Sequence, residues 1–163
     1  CVRSEVGAVG AKILYPDDTV FHAGLIIGMK DGIAYANQGI GRDDYGYMGR
    51  ALINGNYSAV SAVCMMTKKS TFLLSGGFDE QFAAAWKDVD YCLKLRKSDY
   101  LIVYNAFAEW RYISKKQVYN KNNEEKSEQE MKIVWKKWSS LFEKGDPYYN
   151  DNFSKKQLPF TLE

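Results

Sequence analysis

Two adjacent glycines, Gly76 and Gly77, followed shortly by an acid-headed apolar repeat, restrict this chain more than any other feature. Glycine adopts positive φ without steric cost, so the pair marks a tight, accessible bend. Further on, Asp88 immediately precedes Val89, Cys92 and Leu93, spaced i, i+3 and i+4. That spacing predicts a helix running to about Ser98, with Asp88 as its N-cap or in its first turn. A carboxylate there lies at the positive end of the helix dipole. Beside a glycine bend it can act as a general base, and it can equally do no more than cap the helix.

The residues before this stretch read as strands and turns. Val6 to Tyr15 is a small and branched apolar run stopped by Pro16-Asp17-Asp18, with Gly7 and Gly10 where another backbone could approach. Val20 to Met29 reads as a second strand, closed by the hairpin signal Asp31-Gly32, and Ile33 to Asn37 as a brief return. His22, the only histidine, has no cysteine or second histidine at ligand spacing, which favours a structural role over metal binding. Asn37 to Arg50 is a glycine-rich loop whose Arg42, Tyr45 and Tyr47 could line a polyol site. Tyr57 to Thr67 reads as a central strand, and Lys68 to Ser75 as a short helix stopped at Gly76-Gly77.

Beyond the helix that Asp88 opens, Tyr100 to Tyr104 and Ala106 to Ile113 read as two strands, and Lys115 to Lys126 as a solvated connection. Ser127-x-x-Glu130 is a capping-box signature. It heads an apolar stripe of Met131, Val134, Trp135, Trp138, Leu141 and Phe142, with Lys132, Lys136 and Lys137 facing out and Gly145 as the stop. The remainder lacks periodicity and reads as an extended surface tail. The expectation is a single mixed α/β domain over 1–163, with a core of 1–114 and a helix and tail over 115–163.

Twenty-two basic residues against 20 acidic ones leave a net charge of only +2, which argues against nucleic acid as an obligatory partner. Three cysteines at unrelated spacings give neither a disulfide framework nor a zinc pattern, and point to a reducing compartment. From spacing alone, Asp88 and Asp90 could deprotonate a hydroxyl, bind a divalent cation, or cap and solvate the helix. An i, i+2 pair inside a helix points to different faces, which favours a base role for Asp88 and a structural one for Asp90.

Gly77-Phe78-Asp79-Glu80, a short spacer and Asp88-Val89-Asp90-Tyr91-Cys92-Leu93 resemble a motif block of family-2 glycosyltransferases with the GT-A fold. Glu5 to Gly10 with Leu14-Tyr15-Pro16, His22-Ala23-Gly24, Gly46-Tyr47 with Gly49-Arg50, Ser58-Ala59-Val60 and Asp146 to Asn150 are similar to pieces of its bacterial polysaccharide and O-antigen branch. The resemblance implies the acceptor-side, C-terminal part of a GT-A fold: a mixed sheet with flanking helices, without the nucleotide-binding half. It further implies inverting transfer from a nucleotide-diphospho-sugar to a glycan or lipid-linked acceptor, with Asp88 as base. Trp86, Gly76, Gly77, Asp90 and Tyr47 then fall on the acceptor side, and Arg111 on the diphosphate side. Mg²⁺ or Mn²⁺ would serve the intact parent, with no metal ligand in this chain.

Lys87 and Trp110-Arg111-Tyr112 depart from the family pattern, which more often has Glu or Asn before the base and histidines after Glu109. For lack of the nucleotide-binding half the chain is expected to be inactive alone and able to pair through surface that the lost half bared, and the lipid-linked acceptors of this branch imply a cytoplasmic parent enzyme at the inner face of a membrane. Two readings compete: a non-catalytic glycan-binding or scaffolding module in which Asp88 only caps a helix, and a metal-dependent hydrolase using Asp88 and Asp90. The transferase reading requires Asp88 to face a cleft shared with the Gly76-Gly77 bend.

Overall fold

The computed structural model describes residues 2–29, 32–82, 86–113 and 121–162, without the side chains of 121–124. Its centre is a parallel pair of strands, β1 (Val6–Leu14) and β7 (Leu101–Arg111). β1 is buried along most of its length because helix and loop cover it on both faces. On one side it pairs antiparallel with β2 (Val20–His22) and β6 (Met65–Thr67), while β7 pairs on its outer edge with β5 (Gly55–Asn56). The result is a mixed five-stranded sheet, beside which β3 (Leu25–Met29) and β4 (Gly32–Tyr35) form a separate hairpin. The α/β class with flanking helices therefore stands.

At Gly7 and Gly10 it is side chains and not a backbone that come close: a Cβ at Gly7 would strike the Tyr100 side chain, and one at Gly10 the Val60 side chain. Helix α1 (Lys69–Leu74) ends at Gly76 and Gly77, both at positive φ, and α2 spans Lys87–Lys97. Helix α2 lays Val89, Tyr91, Cys92, Leu93 and Leu95 on Ala8 and Ile102 of the sheet. From the other side, Val134, Trp138 and Phe142 of the C-terminal helices close the same core. Fully burying apolar side chains of this size contributes about 1.5–3 kcal/mol each before entropy is charged.

Several local expectations are corrected. Val20 to Met29 is broken at Gly24, whose φ of +100° and contact with the Tyr57 ring turn β3 out of the main sheet. Tyr57 to Thr67 is no central strand. Its buried Ser58, Ala59 and Val60 run beneath the sheet, bonding through Ala59 O to Leu25 N, and a 3-10 turn at Ala62–Cys64 precedes the short β6. The run is apolar because it is enclosed on every side, a pattern that a central strand shares. Conversely, the two strands expected over 100–113 are one, with an irregularity where Ala11 pairs Asn105 but Lys12 pairs Glu109.

The last helix begins earlier than its capping box, as α3 (Lys121–Lys137), so Ser127 lies inside it. It also breaks at Trp138, before α4 (Ser139–Lys144). Lys137 is exposed as expected, but its Nζ reaches back to Asp79 and to the buried Asp90. The tail is not a loose surface strand either: Tyr149, Phe153 and Ser154 are buried, and Phe153 pairs with Leu162.

A corner built by distant segments holds this tail. Asp146 accepts from Ile27 N and Tyr148 N, both at 2.9 Å, while Arg50 donates to Tyr148 O at 2.8 Å and lies over the Tyr57 ring. Arg96 donates to Ser58 Oγ at 2.8 Å and stacks on Tyr148. Of the pieces that carried the resemblance, Arg50, Ser58 and Asp146 to Tyr149 thus converge on folding. Cys64 and Cys92 are free, and among the described residues no helix is long and apolar enough to cross a membrane.

Candidate active site

Asp88 sits in the first turn of α2 and Trp86 is the N-cap residue, in the left-handed region and without a side-chain cap bond. The Asp88 carboxylate is half-exposed. Its Oδ1 accepts from Val89 N and its Oδ2 from Ala62 N, each at 2.9 Å, so two backbone N–H groups fix its orientation. Each oxygen keeps a lone pair for a further donor.

Because α2 leads into β7 through a short turn, its N-terminus lies toward the carboxyl ends of β7 and its parallel partner β1. Ligands of open α/β sheets bind at this end. Here the rings of Tyr15, Tyr35 and Tyr112 surround Phe21, with centroids 5.1, 5.2 and 5.3 Å from it. Burial raises the Tyr35 phenol above its ordinary pKa, and the nearby charges of Asp88, Tyr15 and Tyr112 push the same way. Sequence reading missed this cluster. Its signal was present: Tyr15 and Tyr112 each stand one residue beyond the end of a parallel strand.

Beneath the cluster the His22 ring stacks on Tyr35 at 5.5 Å. His22 is buried, its Nδ1 accepts from Gly24 N at 3.2 Å, and its Nε2 has no hydrogen-bond partner among the described residues. Burial lowers its pKa to about 4, which keeps the imidazole neutral at physiological pH.

The other sequence-proposed residues lie elsewhere. Asp90 is fully buried: Trp138 Nε1 and Lys137 Nζ each lie 2.8 Å from Oδ1, and Lys94 Nζ is 3.0 Å from Oδ2, an ion pair without hydrogen-bond alignment. Lys137 also binds Asp79 at 2.9 Å, and Lys94 donates to Gly77 O at 3.2 Å. The Gly76-Gly77 bend therefore rests on the Asp90 side of α2. No hydrogen bond, ion pair or ring contact among the described residues joins it to Asp88, so the shared cleft expected of the transferase reading is not observed and Gly76 and Gly77 drop out of the candidate site. The hydrogen bond from Lys137 holds Asp79 down at about pKa 2.

Trp86 is wedged between Gly32 and Met131, with its Nε1 donating to Ser127 O at 3.1 Å. Tyr47 packs on Phe153 and Phe160 in the second core, away from α2. Arg111 pairs with Asp18 at 2.5 Å, and nearby Arg42 and the buried Lys12 pair with Glu109. Among the described residues no three His, Cys, Asp or Glu side chains converge to hold a metal.

No family model matches the chain, and no solved structure matches it. Two curated proteins are similar to it. One is the uncharacterized protein y4gI of Sinorhizobium fredii, 32% identical over 164 residues, 98% of this chain and 18% of that protein. The other is the O-antigen biosynthesis protein RfbC of Myxococcus xanthus, 31% identical over 158 residues, 93% of this chain and 12% of that protein. The chain thus spans less than a fifth of either relative, and along nearly all of its own length it is similar to a protein named for O-antigen biosynthesis.

Proposed function

We propose that this chain is the acceptor-side part of an inverting glycosyltransferase of polysaccharide or O-antigen synthesis, with Asp88 as its general base. The observation that carries the reading is the placement of Asp88: half-exposed, oriented by two backbone N–H groups at the start of α2, and close enough to Tyr35 for its charge to raise that phenol's pKa. The similarity to a protein named for O-antigen biosynthesis supports it.

In this reaction an acceptor hydroxyl attacks the anomeric carbon of a nucleotide-diphospho-sugar. Its proton passes to the Asp88 carboxylate as the new C–O bond forms. The bond to the nucleoside diphosphate breaks on the opposite face, which inverts the configuration. A base so positioned typically contributes 10²–10⁴-fold. The donor-binding half belongs to the longer protein. The half-exposed sheet face of Val9, Leu101, Val103 and Asn105, part of a 540 Å³ groove, is apolar enough to receive further polypeptide.

One observation favours the rival module reading. The bond from Ala62 N to Asp88 Oδ2 ties the 3-10 turn to α2, which is a purely structural service. Asp88→Asn in the longer protein separates the two: lost transfer with an unchanged fold supports the base, and retained transfer supports the module.

A further inference from the structure

We infer that Trp86 is a positioning residue for Asp88: α3 grips its indole and, through it, sets the first turn of α2 and the aim of the carboxylate. The inference rests on the transfer reading only for what a change in kcat would mean.

Trp86 holds φ +64° and ψ −11°, the left-handed region that a residue with a Cβ enters only at a cost. An N-cap residue ordinarily stands in the extended region and bonds its helix through a side-chain oxygen, and Trp86 does neither. Such a conformation persists only where its surroundings over-determine it. Two elements supply that constraint. The indole Nε1 donates to Ser127 O of α3 at 3.1 Å, and the ring lies so close to Gly32 of β4 that a Cβ there would meet it at 2.7 Å. Met131 of α3 reaches the same glycine. Ser127 and Met131 are i and i+4, so one face of α3 brings both.

That face continues through Val134 to Trp138, whose own Nε1 donates to Asp90 Oδ1 at 2.8 Å. Two indole N–H bonds therefore cross in opposite directions, one leaving residue 86 and one arriving at residue 90. Asp88 lies midway between these anchors. Trp86 O also accepts from Asp90 N at 2.9 Å, which ties the N-cap residue to the first turn. A Trp86 that relaxed to negative φ would shift the turn that carries Asp88 and draw its Oδ2 away from Ala62 N. Direct contact with an acceptor is a different task, and the Trp86 N–H is already spent within the fold.

The test reads amide hydrogen exchange in this chain and steady-state rates in the longer protein. Trp86→Phe keeps a ring and drops the donor, while Trp86→Gly removes the ring and relieves the backbone. Exchange of the Ala62 amide, which donates to Asp88, should quicken several-fold in the first and about tenfold in the second, with the β1 amides unchanged. Met131→Ala, altered from the α3 side alone, should move the Ala62 amide the same way. In the longer protein Trp86→Phe should lower kcat by up to about 10²-fold while the acceptor KM holds. An unmoved Ala62 amide, an equal quickening throughout β1, or a raised acceptor KM at unchanged kcat would overturn the assignment. Failure of the transfer reading shows elsewhere, as retained transfer by Asp88→Asn, and leaves the exchange result standing.

Discussion

Two carboxylates two residues apart on α2 have opposite fates. Asp90 is enclosed by Trp138, Lys94 and Lys137 and carries the glycine bend and the C-terminal helices with it. Asp88 is half-exposed and accepts from two backbone N–H groups, those of Ala62 and Val89. One side of the first turn of α2 is therefore saturated with internal partners, while the other keeps a half-exposed carboxylate with bonding capacity to spare. The lesson is that an acidic motif does not work as a unit: one acid serves folding, and the other remains available for chemistry.

The sharpest way to break this contrast is to exchange the roles. Asp88→Asn is expected to lower transfer by the longer protein about 10²–10⁴-fold, measured as an initial rate. Its stability loss should stay near 1 kcal/mol, since one hydrogen-bond acceptor survives. Asp90→Ala should do the reverse, costing about 3–5 kcal/mol in denaturant unfolding because it strands Lys94 and Lys137 beside a buried site. A loss below about 1 kcal/mol would mean that the buried hub is not what holds α2.

The histidine beneath the rings sharpens the contrast by pH. Its folded pKa of about 4 lies below the ordinary 6.5, so the unfolded chain takes up the proton first on acidification. Stability should therefore be whole above pH 6.5, decline through the window down to about 4, and lose on the order of 3 kcal/mol at its foot. His22→Gln should flatten that decline in thermal melts across the same window. The smallest effect belongs to the outer lysine bond. Asp79→Asn should cost under ~1 kcal/mol at neutral pH, since the pair with Lys137 is partly exposed. Because the Asp79 pKa is depressed to about 2, what it contributes is present above the ordinary carboxylate pKa of 3.8 and vanishes toward 2.

Strand β1, helices α1 and α2 and the stop at Gly145 were legible because each carries its own local signal: an apolar run closed by Pro16, glycines at positive φ, an i, i+3, i+4 repeat. The segment over 57–67 was misread because burial on all sides erases periodicity. The capping box at Ser127 was misread because lysine, asparagine and glutamate upstream continue a helix without difficulty. The place of Asp88 in the first turn of α2 was legible from the apolar repeat that follows it. Tyr15, Tyr35 and Tyr112 were not read together: two of them follow the ends of β1 and β7, but only the tertiary fold brings all three rings onto Phe21.

By itself, then, the sequence determined the elements and the one acid worth suspecting, for these depend on neighbours within a few residues. Tertiary structure alone decided that Asp90 is buried against Trp138, Lys94 and Lys137, that Trp86 bonds to Ser127 and Tyr47 packs on Phe153 and Phe160, and that three tyrosines gather around Phe21. The physical reason is that exposure and bonding capacity belong to a side chain's surroundings, and segments far apart in the chain supply those surroundings here.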